Sequence, residues 1–536
     1  LQSTIQDQIS GTLDNGQIIV DTLEAEPVVL LLNNASITSL TSSPIYVRNA
    51  DKVVITLVDG TNNTVTDGTD YVFEEADEPN AAVFSKDDLT INGTGTLTVF
   101  ANFNNGITSK DDLKIVSGTV IVTAANDGIK GRDSVAIKGG TILINANGDG
   151  IQSTNDVDAE KGNIYIEGGV IQITAELDGI QAENSLFISG GEFAITSGGG
   201  SINGTQTTQG RGGWDMQNNA AETENEVSTK GIKAGTALMI TGGAFKIDAA
   251  DDALHANDTI QIYAGEFQLA SGDDGLHADS ALEIDGGNLN ITQSYEGIES
   301  TQITINGGQI HVSARDDGIN GSDGSGGDAM GGPPGMGGGF EMGNSTLEIN
   351  GGYIYVDAGG DGIDINGPIE MTNGVVLVNG PTENMNGALD YTGSFNITNG
   401  LLIAVGSAGM AQAPSESSSQ LSLLYTFDTV QPAGKTVHVE SQLGDEIITF
   451  SPTKEFQAVV ISSPQLSNGN TYLVYTGGAS KGTQTDGLWT DGIYSAGTQV
   501  DSFTINNVVT YTGAASGGLM GGPGMGDPGG KSPRGP

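Results

Sequence analysis

The stretch that decides the fold is Asp127-Gly128-Ile129-Lys130-Gly131-Arg132-Asp133-Ser134-Val135-Ala136-Ile137-Lys138-Gly139-Gly140-Thr141-Ile142-Leu143-Ile144-Asn145-Ala146-Asn147-Gly148, after which Asp149-Gly150-Ile151 starts the pattern again. The glycine of this corner, or its equivalent, recurs at Gly106, Gly128, Gly150, Gly179, Gly231, Ala253, Gly275, Gly297, Gly318, Gly362 and Gly387. Successive gaps are 22, 22, 29, 52, 22, 22, 22, 21, 44 and 25 residues. The base period is 22, and the longer gaps are one or two periods carrying an insertion.

Each period holds three short runs that alternate apolar and polar. The first precedes the glycine pair, as in Leu113/Ile115, Val135/Ile137 and Leu238/Ile240. The second follows it, as in Val120/Val122, Ile142/Ile144 and Phe245/Ile247. The third begins at the Ile or Leu after the corner, as in Ile129/Gly131 and Leu254/Ala256. Period-2 alternation over so few residues reads as half-buried strands and is too short for helices. Three strands in fixed order with glycine at the corners predict an all-β chain, a right-handed three-faced parallel β-helix. A coil of ~70 Å perimeter stacks on the next at ~4.8 Å. One coil cannot cover its own apolar side chains, so the stack is the folding unit.

Work outward from the repeat and the period fades at both ends. Residues 1–80 keep strand character without it and are expected to form a cap and the first irregular coils, residues 81–400 the regular tube, and residues 401–512 a small β domain over its far end. Residues 513–536, rich in Gly, Pro and Met, are expected to be disordered. Two insertions, at about 198–229 and 321–344, leave the tube; the first contains Trp214, one of two tryptophans.

The chain has 536 residues, 83 of them glycine, 19 Lys+Arg against 66 Asp+Glu, a formal charge of −47 and no cysteine. Such a polyanion is not built to neutralise nucleic-acid phosphates. Without cysteine, disulfides, thiolate catalysis and Cys-ligated zinc are excluded. No apolar run approaches the 18 residues of a membrane helix. The composition leans toward an extracellular or cell-surface protein.

The repeat also files charge. Asp127, Asp149 and Asp178 share one position of the coil; Asp252, Asp274, Glu296, Asp317 and Asp361 continue it. Neighbouring carboxylates ~4.8 Å apart repel by roughly 3–4 kcal/mol at an effective dielectric of 20. The file therefore needs protons, backbone N–H donors as in Asx turns, or bridging cations. Oxygen-only donors in glycine turns suit Ca²⁺, which makes these eight acids candidate ligands. A second file holds Lys86, Lys110 and Arg132, and six of the 19 cations lie between residues 86 and 138. It reads either as a site for an anionic sugar or as ion pairs muting the acidic field. His255 and His277 form a third file, continued by Glu299, Asn320 and Asp364. That file is either an exposed polar ladder or a transition-metal site.

The runs Asn80-Ala81-Ala82-Val83-Phe84-Ser85-Lys86-Asp87-Asp88-Leu89, Asn105-Gly106-Ile107-Thr108-Ser109-Lys110-Asp111-Asp112-Leu113 and Asp127-Gly128-Ile129-Lys130-Gly131-Arg132-Asp133-Ser134 resemble the clostridial-type carbohydrate-binding β-helix proteins. So do Gly148-Asp149-Gly150-Ile151-Gln152-Ser153-Thr154-Asn155-Asp156 and Ser197-Gly198-Gly199-Gly200-Ser201, and the match spans roughly residues 45–400. The resemblance implies a pectate-lyase-like fold, binding of cellulose or polygalacturonate, and calcium held by the corner aspartates. The expected function is a secreted, calcium-binding, non-catalytic polysaccharide-binding protein. Lys86, Lys110, Arg132, Trp214 and Tyr355 are its candidate sugar contacts, and Lys246, Gln268, Asn290 and His311 lie on the same outward strand face as Tyr355. One alternative is a polysaccharide lyase, with Arg132 or Arg315 as base. The other is a homopolymer, a filament or surface layer built by end-to-end pairing.

Overall fold

The computed structural model describes residues 5–73, 78–204, 227–322, 343–495 and 497–514. Trp214, most of both insertions and nearly all of the C-terminal tail lie outside the described residues. The chain is all-β, with one short 3-10 turn at Ser201–Asn203 among the described residues.

The three alternating runs of each repeat become three ladders of parallel strands. In ladder I, the strand of the corner, Ile129 pairs with Ile107 and Ile151, Ile151 with Ile180, and Ile180 with Ile232. In ladder II, Val135 pairs with Leu113 and Ile164. In ladder III, Ile142 pairs with Val120 and Ile171. Residues one repeat apart in sequence are therefore neighbours in space. Register survives both insertions: Ile180 pairs with Ile232 across the first, and Gln302 with Thr346 across the second. The inward positions of all three ladders join one buried apolar core that runs from Val20 to Val509. Phe193, Phe245 and Phe267 stack within it at centroid separations of 4.6 and 4.7 Å.

The N-terminal residues stack in the same way without the 22-residue period. Val28–Ser39 pairs in parallel with Lys52–Leu57 and Asn62–Asp67, and these continue into Asp88–Gly93 and Thr96–Ala101. At the other end Leu401–Gly406 still belongs to ladder III, pairing in parallel with Val375–Asn379. Its free edge is taken by Phe456–Ser462 running antiparallel. A separate six-stranded sheet follows, in which Val437–Ser441, Glu446–Phe450 and Thr471–Thr476 pair antiparallel. Sequence reading put this C-terminal sheet over the end of the tube. The structure packs it against ladder III: Leu377, Ile403 and Val405, on the outer face of that ladder, share a core with Val437, Ile448, Phe450 and Tyr472. Apolar residues occupy that outer face from Tyr353 onward, where the repeats just before carry Glu266, Gln268, Asn288, Asn290, Gln309 and His311, so the sheet has a surface to bury there.

Two glycine positions make the coil possible. The second glycine of each pair has positive φ, for example 100° at Gly140 and 118° at Gly243, a region that side chains with a Cβ rarely occupy. The corner glycine is needed for space. A Cβ at Gly150 would overlap Ile173 Cγ2 and the carbonyl oxygen of Gly179, and the same conflict with a β-branched Cγ recurs at Gly128, Gly231 and Gly318. The exception explains itself. Ala253 stands where ladder III presents Leu269, which pairs with Ile247 and Ile291 in register but is not branched at Cβ.

Gly150→Ala should therefore destabilise the fold by about 1–3 kcal/mol, as overpacking does. Pairing it with Ile173→Leu should recover part of that loss, whereas Ala253→Gly should change stability little. Denaturant titration of the three variants checks this.

Candidate functional site

The register brings the corner acids into contact through the backbone. Asp127 Oδ1 accepts the N–H of Asp149 at 3.1 Å, and Asp149 Oδ1 accepts that of Asp178 at 3.0 Å. Asp178 Oδ1 accepts the N–H of Lys230 at 2.7 Å, and Asp252 Oδ1 that of Asp274 at 3.0 Å. One oxygen of each carboxylate thus does the work of an Asx turn, one repeat along.

The second oxygen meets the side chain three residues on. That position reads Lys130, Gln152, Gln181, Lys233, His255, His277, Glu299, Asn320 and Asp364 in chain order. Lys130 Nζ donates to Asp127 Oδ2 at 2.9 Å, and Gln152 Nε2 donates to Asp149 Oδ2. Lys230, one residue before its corner, bridges Asp251 and Asp252 at 2.7 and 2.9 Å. Burial pushes the Asp252 carboxyl up, but Lys230 and His255 beside it outweigh that and hold it below the usual range.

Down the file the cations run out. Burial, with Asp178 and Asp127 next to it, raises Asp149 to about 7. Burial and Glu299 raise Glu296 to about 8, and burial with Asp361 and Asp316 raises Asp317 to about 9. Carboxylate oxygens of Asp317, Asp361 and Asp364 lie within 4.8 Å of one another. This all-oxygen group has a hard-cation donor set, and its raised Asp317 shows the charge that a divalent ion would relieve. Asp364 sits in the third file of the sequence, and only the fold turns it toward the acids of the first.

The basic file is in register too: Lys110 N–H bonds to Ser85 O and Arg132 N–H to Ser109 O. Lys86 and Lys110 both reach Glu78, at 3.5 and 3.0 Å, so much of their charge is spent on an internal partner. Arg132 is exposed. Arg315 donates Nη2 to Gly272 O at 2.7 Å and so braces an earlier repeat. Tyr355 is no open stacking platform. Its ring packs against the C-terminal core, and its hydroxyl lies 3.5 Å from Thr453 Oγ1.

The open surface is the outer face of ladder III before that cover begins. Two adjoining depressions, of about 540 and 600 Å³, run along it. Gln172, Ala194, Lys246 and Gln268 form their floor, with Asn145, Thr174, Thr196 and Asn288 beside it. Lys246 is the only cation among the described lining residues. The exposed residues at these positions include amides and hydroxyls, the groups that hydrogen-bond sugar hydroxyls, and the carboxylates of Glu192, Asp248 and Glu266 also line the depressions. The face closes where Asp486, from the C-terminal sheet, accepts from Tyr353 at 2.8 Å and lies 2.9 Å from His311 Nε2.

A family described as carbohydrate-binding domain-containing protein has a sequence model that matches residues 5–275, just over half of the chain. The chain belongs to this family. A protein of Acetivibrio thermocellus with the same description is 49% identical over 117 residues, which is 22% of this chain and 41% of that relative. The chain thus spans less than half the length of that relative. A solved structure titled as the polysaccharide lyase-like protein from C. thermocellum, a gadolinium derivative, is 43% identical, covering 37% of this chain and 81% of that one at a TM-score of 0.36. The family match takes in most of the open face of ladder III.

The raised carboxyls set a pH dependence. Folding lifts Asp149, Glu296 and Asp317 above the unfolded range near 4, so the folded chain keeps protons that the unfolded chain releases. Their contribution is fully present below pH ~4 and is lost as pH rises through about 7, 8 and 9. In chelator, the melting temperature should fall between pH 5 and 9. Asp317→Asn should flatten the alkaline part of that fall.

Proposed function

We propose that the chain is a secreted, non-catalytic protein that binds an extended polysaccharide along the outer face of ladder III. The observation that carries this is the pair of adjoining depressions, floored by Gln172, Ala194, Lys246 and Gln268 at one-repeat spacing. A file of like positions matches a polymer of like units. Family membership supports a carbohydrate ligand. Lys246 is the residue suited to a uronate carboxylate, and the amides around it suit the hydroxyls of polygalacturonate or cellulose. We infer that the three ladders close as a right-handed parallel β-helix, the hand that parallel crossovers take.

Calcium belongs to this reading as a structural ion. Asp317, Asp361 and Asp364 are the residues that would hold it. In the earlier part of the file Asp127 takes the ammonium of Lys130 and Asp178 the hydroxyl of Ser228, so these two acids have less need of one. End-to-end polymerisation is disfavoured at the C-terminal end, where Phe456–Ser462 occupies the edge of ladder III.

Binding to insoluble cellulose and to polygalacturonate, each with Ca²⁺ and with chelator, tests the sugar reading. Lys246→Ala should weaken polygalacturonate binding roughly tenfold, a loss of about 1.4 kcal/mol, and should affect cellulose less. Gln172→Ala with Gln268→Ala should weaken both. Wild-type binding in these surface variants would place the sugar elsewhere. Separately, Ca²⁺ should raise the melting temperature of wild type and not of Asp361→Asn with Asp364→Asn.

A further inference from the structure

The file of side chains beside the corner acids contains two histidines on successive repeats. His255 and His277 pair in register, with ring centroids 5.0 Å apart. Each ring is held in the same way. His255 Nε2 lies 2.9 Å from Asn257 Oδ1, while its Nδ1 lies 2.8 Å from Asp252 Oδ2. His277 Nε2 lies 3.3 Å from Asp279 Oδ1, while its Nδ1 lies 2.8 Å from Asp274 Oδ2 and 3.3 Å from Glu299 Oε2.

In the tautomer that carries its proton on Nε2, beside these oxygen acceptors, the Nδ1 lone pair faces carboxylate oxygens. Opposed electron pairs at hydrogen-bond distance take a cation between them, either a second ring proton or a metal ion. An outer-shell oxygen on one imidazole nitrogen, with carboxylates clustered at the other, is how metal-binding histidines are usually oriented. Donor atoms of Asp274, His277 and Glu299 lie within 4.8 Å of one another, as do those of Asp252, His255 and His277. Two ligands of a tetrahedral ion at ~2.0–2.2 Å are themselves about 3.3–3.6 Å apart; His277 Nδ1 and Glu299 Oε2 stand at 3.3 Å, and the 2.8 Å from that nitrogen to Asp274 Oδ2 must open for both to hold one ion. His277 and Glu299 are 27% and 18% exposed, so an ion can enter from solvent.

We propose that His277, Asp274 and Glu299, with His255 reaching in from the preceding repeat, form a binding site for a late first-row divalent ion of the Zn²⁺ class. Mixed imidazole and carboxylate donors select such an ion over Ca²⁺, which takes oxygen alone. Lys230 settles the side on which the ion sits. Its ammonium occupies Asp252 and Asp251, one repeat back, so the ion lies toward Asp274 and Glu299. The site is separate in position and chemistry from the all-oxygen group at Asp317, and it does not depend on sugar binding.

The full chain, stripped with chelator and dialysed into excess Ca²⁺, would be titrated with Zn²⁺ by calorimetry and with Co²⁺ by visible absorption. One equivalent of each should bind in the presence of Ca²⁺, and the Co²⁺ form should show the intense bands of a low-coordinate site with nitrogen donors. His277→Gln should abolish this binding, and Asn257→Ala should weaken it about 10- to 100-fold, as loss of an outer-shell partner does. Asp361→Asn with Asp364→Asn should leave it intact. The wild-type Co²⁺ spectrum requires no variant to fold, and absence of a nitrogen-ligated spectrum would overturn the proposal. So would Zn²⁺ stoichiometry unchanged in a folded His277→Gln, or Zn²⁺ displaced by equimolar Ca²⁺. Doubly protonated rings in wild type under saturating Zn²⁺ would assign the gap to protons and overturn it equally.

Discussion

The repeats of this molecule depend on parallel strands that pair almost without offset, so that residues one repeat apart lie over one another about 4.8 Å apart. For apolar side chains this is favourable without further provision. Ile stacks on Ile through ladder I, and Phe193, Phe245 and Phe267 stack face to face. For charged side chains it is a cost that grows with each repeat, because the same geometry places acid over acid. The chain meets that cost differently along its length. Lys130 and Gln152 give hydrogen bonds to the early acids, Lys230 bridges the middle, His255 and His277 come next, and the late acids are left with Asn320 and Asp364. The chemistry of the file therefore changes from ammonium to imidazole to carboxylate within a constant backbone.

The outer faces differ along the chain as well. Ladder III is open and polar through Gln172, Lys246 and Gln268, then apolar from Tyr353 onward, where the C-terminal sheet covers it. Asp486 marks the boundary by holding both His311 and Tyr353. A regular stack would continue this open face without end. The sheet gives the face a terminus, and it also takes up the strand edge that the last repeat would otherwise leave open.

Much of this was legible in the residues before any coordinates. The 22-residue spacing put Asp127 beside Asp149 and His255 beside His277, because a repeat that pairs with itself turns sequence distance into spatial contact. The irregular N-terminal strands were legible as strands only. Their partners follow from hydrogen bonding over unequal spacings, such as Val28 with Val53. Tyr355 was misread as open because alternation tells the outward face from the inward one and says nothing about what lies against the outside. The bracing role of Arg315 was not legible for a similar reason: its reach to Gly272 crosses two repeats.

By itself the sequence determined the repeat, the three strands within it, the glycine corners and the membership of each file, since all of these depend on backbone periodicity and local sterics. Tertiary structure alone decided which atoms of a file meet. Whether Lys86 faces solvent or Glu78, whether Asp364 turns toward Asp317, and whether the nitrogen that His277 offers the carboxylates is Nδ1 all depend on rotamers and on segments far away in the chain. Periodicity fixes where a Cα stands. It does not fix the direction that a side chain takes, because that is chosen by neighbours that do not repeat.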